Sequence, residues 1–192
     1  MRFGQYLFLI KSDLYRYTGH TDITTFLRYA LLVPGYKYSF CMRSCAYLFT
    51  HPLLKFGVYH LAKLMLTKYM YKYGIDIPFS ANIGSGFYIG HFGGIIVNET
   101  AVIGINCNIS QGVTIGTVSR GEKKGCPILG DNVYIGAGAK ILGKVRIGNN
   151  VAIGANCVVV DDVPDNAVVV GIPGKVISYK GSEGYINKTD YR

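Results

Sequence analysis

The 192-residue chain has no tryptophan, only 11 acidic residues against 20 basic ones, and five cysteines. Those cysteines (Cys41, Cys45, Cys107, Cys126, Cys157) are odd in number and show no disulfide-scaffold spacing, which points to a reducing compartment. The N-terminal "MRFGQYLFLIKSDLYRY" has too short an apolar run, and no small-residue cleavage site, for a signal peptide. The greasiest stretch, "YLFTHPLLKFGVYHLAKLML", is interrupted by His51, Pro52, Lys55, His60 and Lys63, so it reads as an amphipathic helix rather than a membrane span. No Walker loop, dinucleotide-binding fingerprint or metal-ligand cluster is present, so neither a metal nor another cofactor is indicated by these motifs. The expected location is cytoplasmic.

What is present is a folded chain, 49% hydrophobic and rich in glycine, of a size for one domain with a helical attachment. The charge is uneven. Residues 1–75 carry ten Lys/Arg against Asp13 and Asp22, a net +8 that leaves +1 for the remainder. A basic, aromatic first third suits an anionic membrane surface or an acidic partner; the alternative is a solvated helix face with tyrosines packed between subunits. No recognition motif accompanies the basic residues, so nucleic acid is not an expected partner.

Residues 1–75 read as a helical region. One helix stops at Pro34-Gly35, a second runs from Tyr36 to Thr50, and a third from Pro52 to Tyr73 ends at Gly74. Leu53, Leu54, Val58, Leu61, Met65 and Leu66 give the third an apolar stripe for core or subunit contact. Residues 76–178 change period to six. Aliphatic anchors fall at Ile77, Ile83 and Ile89, then Val97, Ile103, Ile109 and Ile115, then from Leu129 every sixth residue to Val159, many followed by glycine. Such self-similarity predicts a parallel β-solenoid of hexapeptides, each anchor pointing inward and each small residue turning a corner. Cys107 and Cys157 fall at inward positions and are expected to be inert core thiols. Residues 179–192 form a C-terminal tail.

The period breaks twice. Ile89 to Val97 spans eight residues, placing two extra just after His91, and Ile115 to Leu129 spans fourteen, extruding the loop "GTVSRGEKKGCPI". Breaks in a repeat are where function is mounted, and the single histidine of the solenoid sits at the first.

The segments "HFGGIIVNETAVIG", "VYIGAGAKILGKVRIG" and "VPDNAVVVGIPGKVI" resemble the hexapeptide acyltransferases, most closely the serine acetyltransferases, from about Gly74 to Ile177. The resemblance implies a mainly β fold, a left-handed parallel β-helix with an N-terminal α-helical region. It implies transfer of an acetyl group from acetyl-CoA to a hydroxyl, with no metal, in a homotrimer whose active sites lie between subunits. The family's catalytic histidine matches His91, and its partner carboxylate, fifteen residues earlier, matches Asp76; the alternative for Asp76 is a local turn cap. Imidazole can take the hydroxyl proton, and the carboxylate would fix its tautomer. Positions that contact the donor match Ala137 and Ala155, with Gly116 a weaker candidate and Lys175 near the nucleotide phosphates. The bland alternative makes the alanines turn positions and Lys175 a solvated charge.

The departures concern the acceptor. An aspartate precedes the histidine in the family, where this chain has Gly90; the family's Arg-His pair in the loop corresponds to Gly125 and Cys126. A desolvated zwitterion needs paired charges. The expected acceptor is therefore a neutral sugar of a surface polysaccharide or its precursor, with serine O-acetylation (cysteine biosynthesis) as the alternative. A non-catalytic hexapeptide scaffold is the reading from another class. Cys126 stands as an acyl relay, a neighbour of the acceptor or a plain loop thiol, and Arg120, Lys123 and Lys124 as an anion contact or ordinary loop charge. The basic first third would suit peripheral contact with the inner membrane face.

Overall fold

The computed structural model describes residues 1–191; Arg192 and the side chain of Leu53 lie outside the described residues. Five helices come first. Helix α1 (Phe3–Thr18) closes on Gly19 in the left-handed region. Helix α2 (Ile23–Leu32) starts at Asp22, whose carboxylate accepts from the Thr25 N–H at 3.0 Å, and α3 (Pro34–Phe49) has proline in its first turn. The single helix expected over 52–73 is two, α4 (Pro52–Lys55) and α5 (Val58–Tyr73). Gly57 separates them with a non-helical backbone (φ −139°, ψ −73°), a conformation that costs glycine little. Of the stripe's described side chains, Leu66 enters the core of the chain. Val58, Leu61 and Met65 are exposed, and α5 buries Tyr59 and Tyr73 alongside Leu66.

Short strands then wind into five coils. The first coil holds β1 (Ile75–Asp76), β2 (Asn82–Ile83) and β3 (Tyr88–Ile89); the second holds β4 (Ile95–Val97), β5 (Val102–Ile103) and β6 (Asn108–Ile109). The third holds β7 (Thr114–Gly116), β8 (Ile128–Leu129) and β9 (Tyr134–Ile135), and the fourth β10 (Lys140–Leu142), β11 (Arg146–Ile147) and β12 (Ala152–Ile153). The fifth has β13 (Val158–Val159) and β14 (Val168–Val170), with Val163 bridging to Ile147 between them. Strand β15 (Lys175–Ser178) returns antiparallel along β14. Stacking the coils makes three parallel faces: A (β1, β4, β7, β10, β13), B (β2, β5, β8, β11) and C (β3, β6, β9, β12, β14).

Every aliphatic anchor from Ile77 to Val159 is buried, so the period of six is the period of the core. Cys107 and Cys157 point inward as expected. Burial pushes the Cys107 thiol up to about 12 and raises Cys157 as well, which disfavours the reactive thiolate. At the corner between faces B and C, Asn106, Asn132, Asn150 and Asn166 all adopt left-handed φ near +60°. Their side chains link down the stack, Asn106 Nδ2 to Asn132 Oδ1 and Asn132 Nδ2 to Asn150 Oδ1, each at 2.9 Å.

The helices close the upper end of this stack, where the first coil has no coil above it to hydrogen-bond. Arg43 donates to the Ile83 carbonyl (2.7 Å) and the Gly84 carbonyl (2.6 Å), and Arg16 to the Gly86 carbonyl (3.1 Å). The Asp13 carboxylate accepts from the Phe87 N–H at 2.8 Å, and the hydroxyls of Tyr17 and Tyr38 each bond both polar groups of one residue, Ile89 and Ile77. An open β edge is thereby covered without adding a strand. The tail reaches back to this cap along face C: Tyr185 stacks on Tyr134 with centroids 4.5 Å apart, and Lys188 Nζ donates to the Tyr17 carbonyl at 2.8 Å.

Candidate active site

Register locates the first break. Ile75 pairs with Ile95, twenty residues on, whereas Ile96 pairs with Thr114, eighteen on. The two extra residues are absorbed at the edge between faces C and A, in the segment His91 to Gly94. Gly93 and Gly94 take φ of +109° and +65°, which side-chain-bearing residues adopt at a cost, and the turn leaves His91 and Phe92 exposed. The segment is nonetheless held at both ends. The Gly90 N–H donates to the Ile109 carbonyl (3.0 Å), the Gly93 carbonyl accepts from Gly112 (2.7 Å), and the Ile95 N–H donates to Gly74 (3.0 Å). The Phe92 ring packs on Tyr73 of α5 at 5.6 Å.

Asp76 lies on face A, next to Ile96 of the neighbouring strand, and points outward between the buried Ile75 and Ile77. Neither its carboxylate nor the His91 imidazole makes a hydrogen bond or ion pair among the described residues. The backbone N–H groups of His91 through Gly94 likewise have no acceptor there. The edge thus presents a free imidazole, a free carboxylate on the adjoining face and several unpaired donors.

The donor candidates divide. On face C, Tyr88 pairs with Asn108, Asn108 with Tyr134 and Tyr134 with Ala152. That ladder puts Ala137 and Ala155, two residues past β9 and β12, on the same C-to-A edge that carries His91 two residues past β3. Three coil steps separate His91 from Ala155, roughly 14 Å at the usual strand spacing. Ala137 is half-buried and Ala155 exposed; the Ala137 carbonyl accepts from the Asn156 N–H at 2.8 Å. Lys175 pairs with Val170 at the foot of face C and is exposed. Gly116 ends β7 on the far side of face A, where an added Cβ would lie 3.0 Å from Leu142.

The acceptor candidates are not brought together in one chain. Gly90 adjoins His91, and a Cβ there would lie 3.3 Å from the Tyr88 ring, a tight contact. The extruded loop leaves at the edge between faces A and B instead, closed by reciprocal 3.0 Å bonds between Val118 and Gly125. The Cys126 thiol there donates to Asn98 Oδ1 at 3.2 Å. Lys123 pairs with Asp161 at 3.5 Å, both well exposed, while Arg120 and Lys124 are exposed without an ion pair among the described residues. The width of face A separates this loop from His91. A cavity of about 600 Å³ between helices and first coil, lined by Met42, Phe49, Phe79 and Ile83 among others, does not include His91 or Asp76. No group of three or more metal-ligating side chains occurs among the described residues. Sequence reasoning passed over Phe92 and Tyr73; the available signal was a large aromatic next to the histidine in an otherwise bland segment.

Comparisons with known proteins follow this geometry. Residues 126–161 match the family model described as bacterial transferase hexapeptide (six repeats). The chain is 43% identical over 148 residues to a serine acetyltransferase of Staphylococcus xylosus, covering 77% of this chain and 68% of that one. It is 40% identical over 157 residues to a serine acetyltransferase of Synechococcus elongatus, covering 81% of this chain but only 62% of that relative's length. Among solved structures, Neisseria gonorrhoeae serine acetyltransferase in complex with serine superposes with a TM-score of 0.74 at 33% identity, covering 92% of this chain and 70% of that chain. The Brucella abortus serine acetyltransferase in complex with coenzyme A gives 0.75 at 29% identity, covering 93% and 70%. The solenoid is a left-handed parallel β-helix with N-terminal helices.

Proposed function

The chain belongs to the serine acetyltransferase family, and from that premise we propose that it transfers the acetyl group of acetyl-CoA to a hydroxyl acceptor. The observation that carries the reading is His91, exposed and unpartnered at the register break, at the head of the edge that also holds Ala137 and Ala155. In this reading His91 takes the acceptor's proton as its oxygen attacks the thioester carbon, and Asp76 steadies the imidazolium. The free N–H groups of the His91–Gly94 turn supply donors for the carbonyl oxygen as it becomes negative. The C–S bond then breaks, and the imidazolium returns its proton to the departing thiolate. The small side chains of Ala137 and Ala155 leave the edge open for the donor's arm, with Lys175 at its foot and Gly116 on the farther wall. His91 and the Gly125–Cys126 loop lie on different edges of one chain, which supports a homotrimer in which one copy's loop completes its neighbour's site.

For the acceptor, the relatives' names favour L-serine over the sugar expected from the sequence. The chain's own residues favour a second reading, a sugar hydroxyl, because Gly90, Gly125 and Cys126 offer an amino acid no charged contact. The deciding assay is thiol release from acetyl-CoA with L-serine as acceptor, with His91→Ala as the blank. The substitution is expected to cost about 10²–10⁴ in kcat. Unchanged turnover in His91→Ala would remove the histidine from the chemistry. Saturable serine turnover that depends on His91 would settle the acceptor as serine.

No helix among the described residues is long and apolar enough to cross a membrane. Peripheral contact at the inner membrane face is supported by the helices themselves. Residues 23–75 contain no Asp or Glu, and Phe56, Leu61 and Leu64 are exposed beside Lys55, Lys63 and Lys68. Co-sedimentation with phosphatidylserine vesicles at low salt, lost at high salt, is the expected result; no sedimentation at low salt would end this reading.

A further inference from the structure

We propose that Phe92, backed by Tyr73, is the acceptor shelf of the site, and that it receives the apolar face of a pyranose ring. The inference rests on acetyl transfer at His91 and deepens the sugar reading of the acceptor.

Phe92 is the residue after His91, and 51% of its surface is exposed. A single exposed aromatic is ordinary on a protein surface. This one is not loosely placed. Its ring lies against Tyr73 at 5.6 Å with the planes at 60°; Tyr73 is buried and stacks in turn on Tyr69 at 5.6 Å. The backbone on either side is fixed by the bonds of Gly90, Gly93 and Ile95 described above. A ring held this way loses little freedom when something lies on it.

The surroundings select the occupant. From Tyr88 to Asn98 the segment "YIGHFGGIIVN" has no ionisable side chain except His91 and Tyr88, and Gly90 projects no side chain at all. On the adjoining face, Ile96 is 49% exposed next to Asp76. Asp76 is committed to His91 by the proposed mechanism, which leaves no carboxylate in this segment for an ammonium group and no cation for a carboxylate. Within this segment an amino acid finds no paired charge to replace its hydration, so such contacts would fall to the neighbouring copy's loop. A pyranose has a different profile: one face of C–H groups and a rim of hydroxyls. The negative face of an aromatic ring attracts the weakly positive C–H groups, and the rim stays available for water and for His91.

The test uses the full-length protein with acetyl-CoA and four acceptors: methyl α-D-glucopyranoside, methyl α-D-galactopyranoside, UDP-glucose and L-serine. Thiol release is measured for the wild type, Phe92→Ala, Phe92→Tyr and His91→Ala, with coenzyme A affinity measured separately by calorimetry. The expected result is His91-dependent turnover with at least one pyranoside, a KM about tenfold higher in Phe92→Ala, and recovery in Phe92→Tyr. Coenzyme A affinity should be unchanged in Phe92→Ala, because the ring lies on none of the donor-edge positions, and the melting temperature should fall by only the small amount that loss of the Tyr73 contact costs. His91-dependent release that ignores Phe92, or that occurs with serine alone, overturns the shelf and leaves acetyl transfer standing. Failure to bind coenzyme A, or release unaffected by His91→Ala, overturns acetyl transfer itself and the shelf with it. Saturation transfer from the protein to ring protons of the pyranosides gives an independent reading: none in the wild type, or equal transfer in Phe92→Ala, also overturns the shelf.

Discussion

The helical cap and the solenoid bury their polar groups in opposite ways. In the solenoid the backbone ladder passes from coil to coil, and the interior is almost entirely aliphatic, with Ser85, Asn106 and Asn108 as buried polar exceptions. The cap buries Ser12, Asp13, Arg16, Ser39 and Arg43, and most of their bonds reach the first coil or one another. A repeat supplies its own next partner, because each coil is the template for the one below. An end has no such partner, so it needs side chains that are used once. The cap therefore concentrates its specificity in a few buried charged groups, whereas the solenoid distributes it over many similar positions.

Breaking the cap at its centre should give the largest effect. Asp13 holds Arg43 at 3.1 Å and the Phe87 N–H at 2.8 Å with no solvent access. Asp13→Ala leaves the guanidinium buried and uncompensated, and should cost about 3–5 kcal/mol in a denaturant titration. Amide exchange should rise first at Phe87 and in α1 and α3, with the lower coils still protected; uniform loss of protection through all five coils would show that cap and solenoid are one cooperative unit.

A smaller effect is expected where the solenoid's own repeat is interrupted. Asn132→Ala removes two rungs of the asparagine ladder and puts a β-carbon-bearing residue without a local side-chain bond at φ +56°. The expected loss is about 1–3 kcal/mol, and Asn132→Gly should recover part of it by relieving the backbone strain alone. Equal losses in the two variants would assign the whole effect to the ladder.

The least effect belongs to an exposed cap on a single helix. Hydrogen bonds from the Thr24 hydroxyl and from the N–H and hydroxyl of Thr25 hold the Asp22 carboxyl well below the usual carboxylate range. A depressed folded value means that stability from this group is fully present above the unfolded value near ~3.9 and is lost as pH falls below it. Helicity at α2 should fray on acidification below about pH 4 in the wild type, and Asp22→Asn should flatten that dependence. An acid transition unchanged by the substitution would place the pH sensitivity elsewhere.

Much of the solenoid was legible because its signal is local and repeated. The anchors from Ile77 to Val159 declare the period, and the two interruptions in that period mark His91 and the extruded loop. The stripe expected to make core or subunit contact was legible as an apolar face, but helical spacing does not show which of its residues turn inward. Leu66 turns inward together with Tyr59 and Tyr73, towards α3 and the first coil, while Val58, Leu61 and Met65 stay exposed. The cap was invisible for another reason: Arg43 meets Ile83 and Asp13 meets Phe87 only after chain segments far apart in sequence have been folded together.

The sequence by itself determined the six-residue period, the aliphatic core and the position of the histidine at a break, because each follows from the order of neighbouring side chains. Tertiary structure decided which edge each break occupies. Extra residues at one corner displace only that corner, so His91 falls between faces C and A while Gly125 and Cys126 fall between A and B. It also decided that Phe92 stands packed beside the histidine, because the ring that supports it, Tyr73, arrives on a helix from outside the repeat.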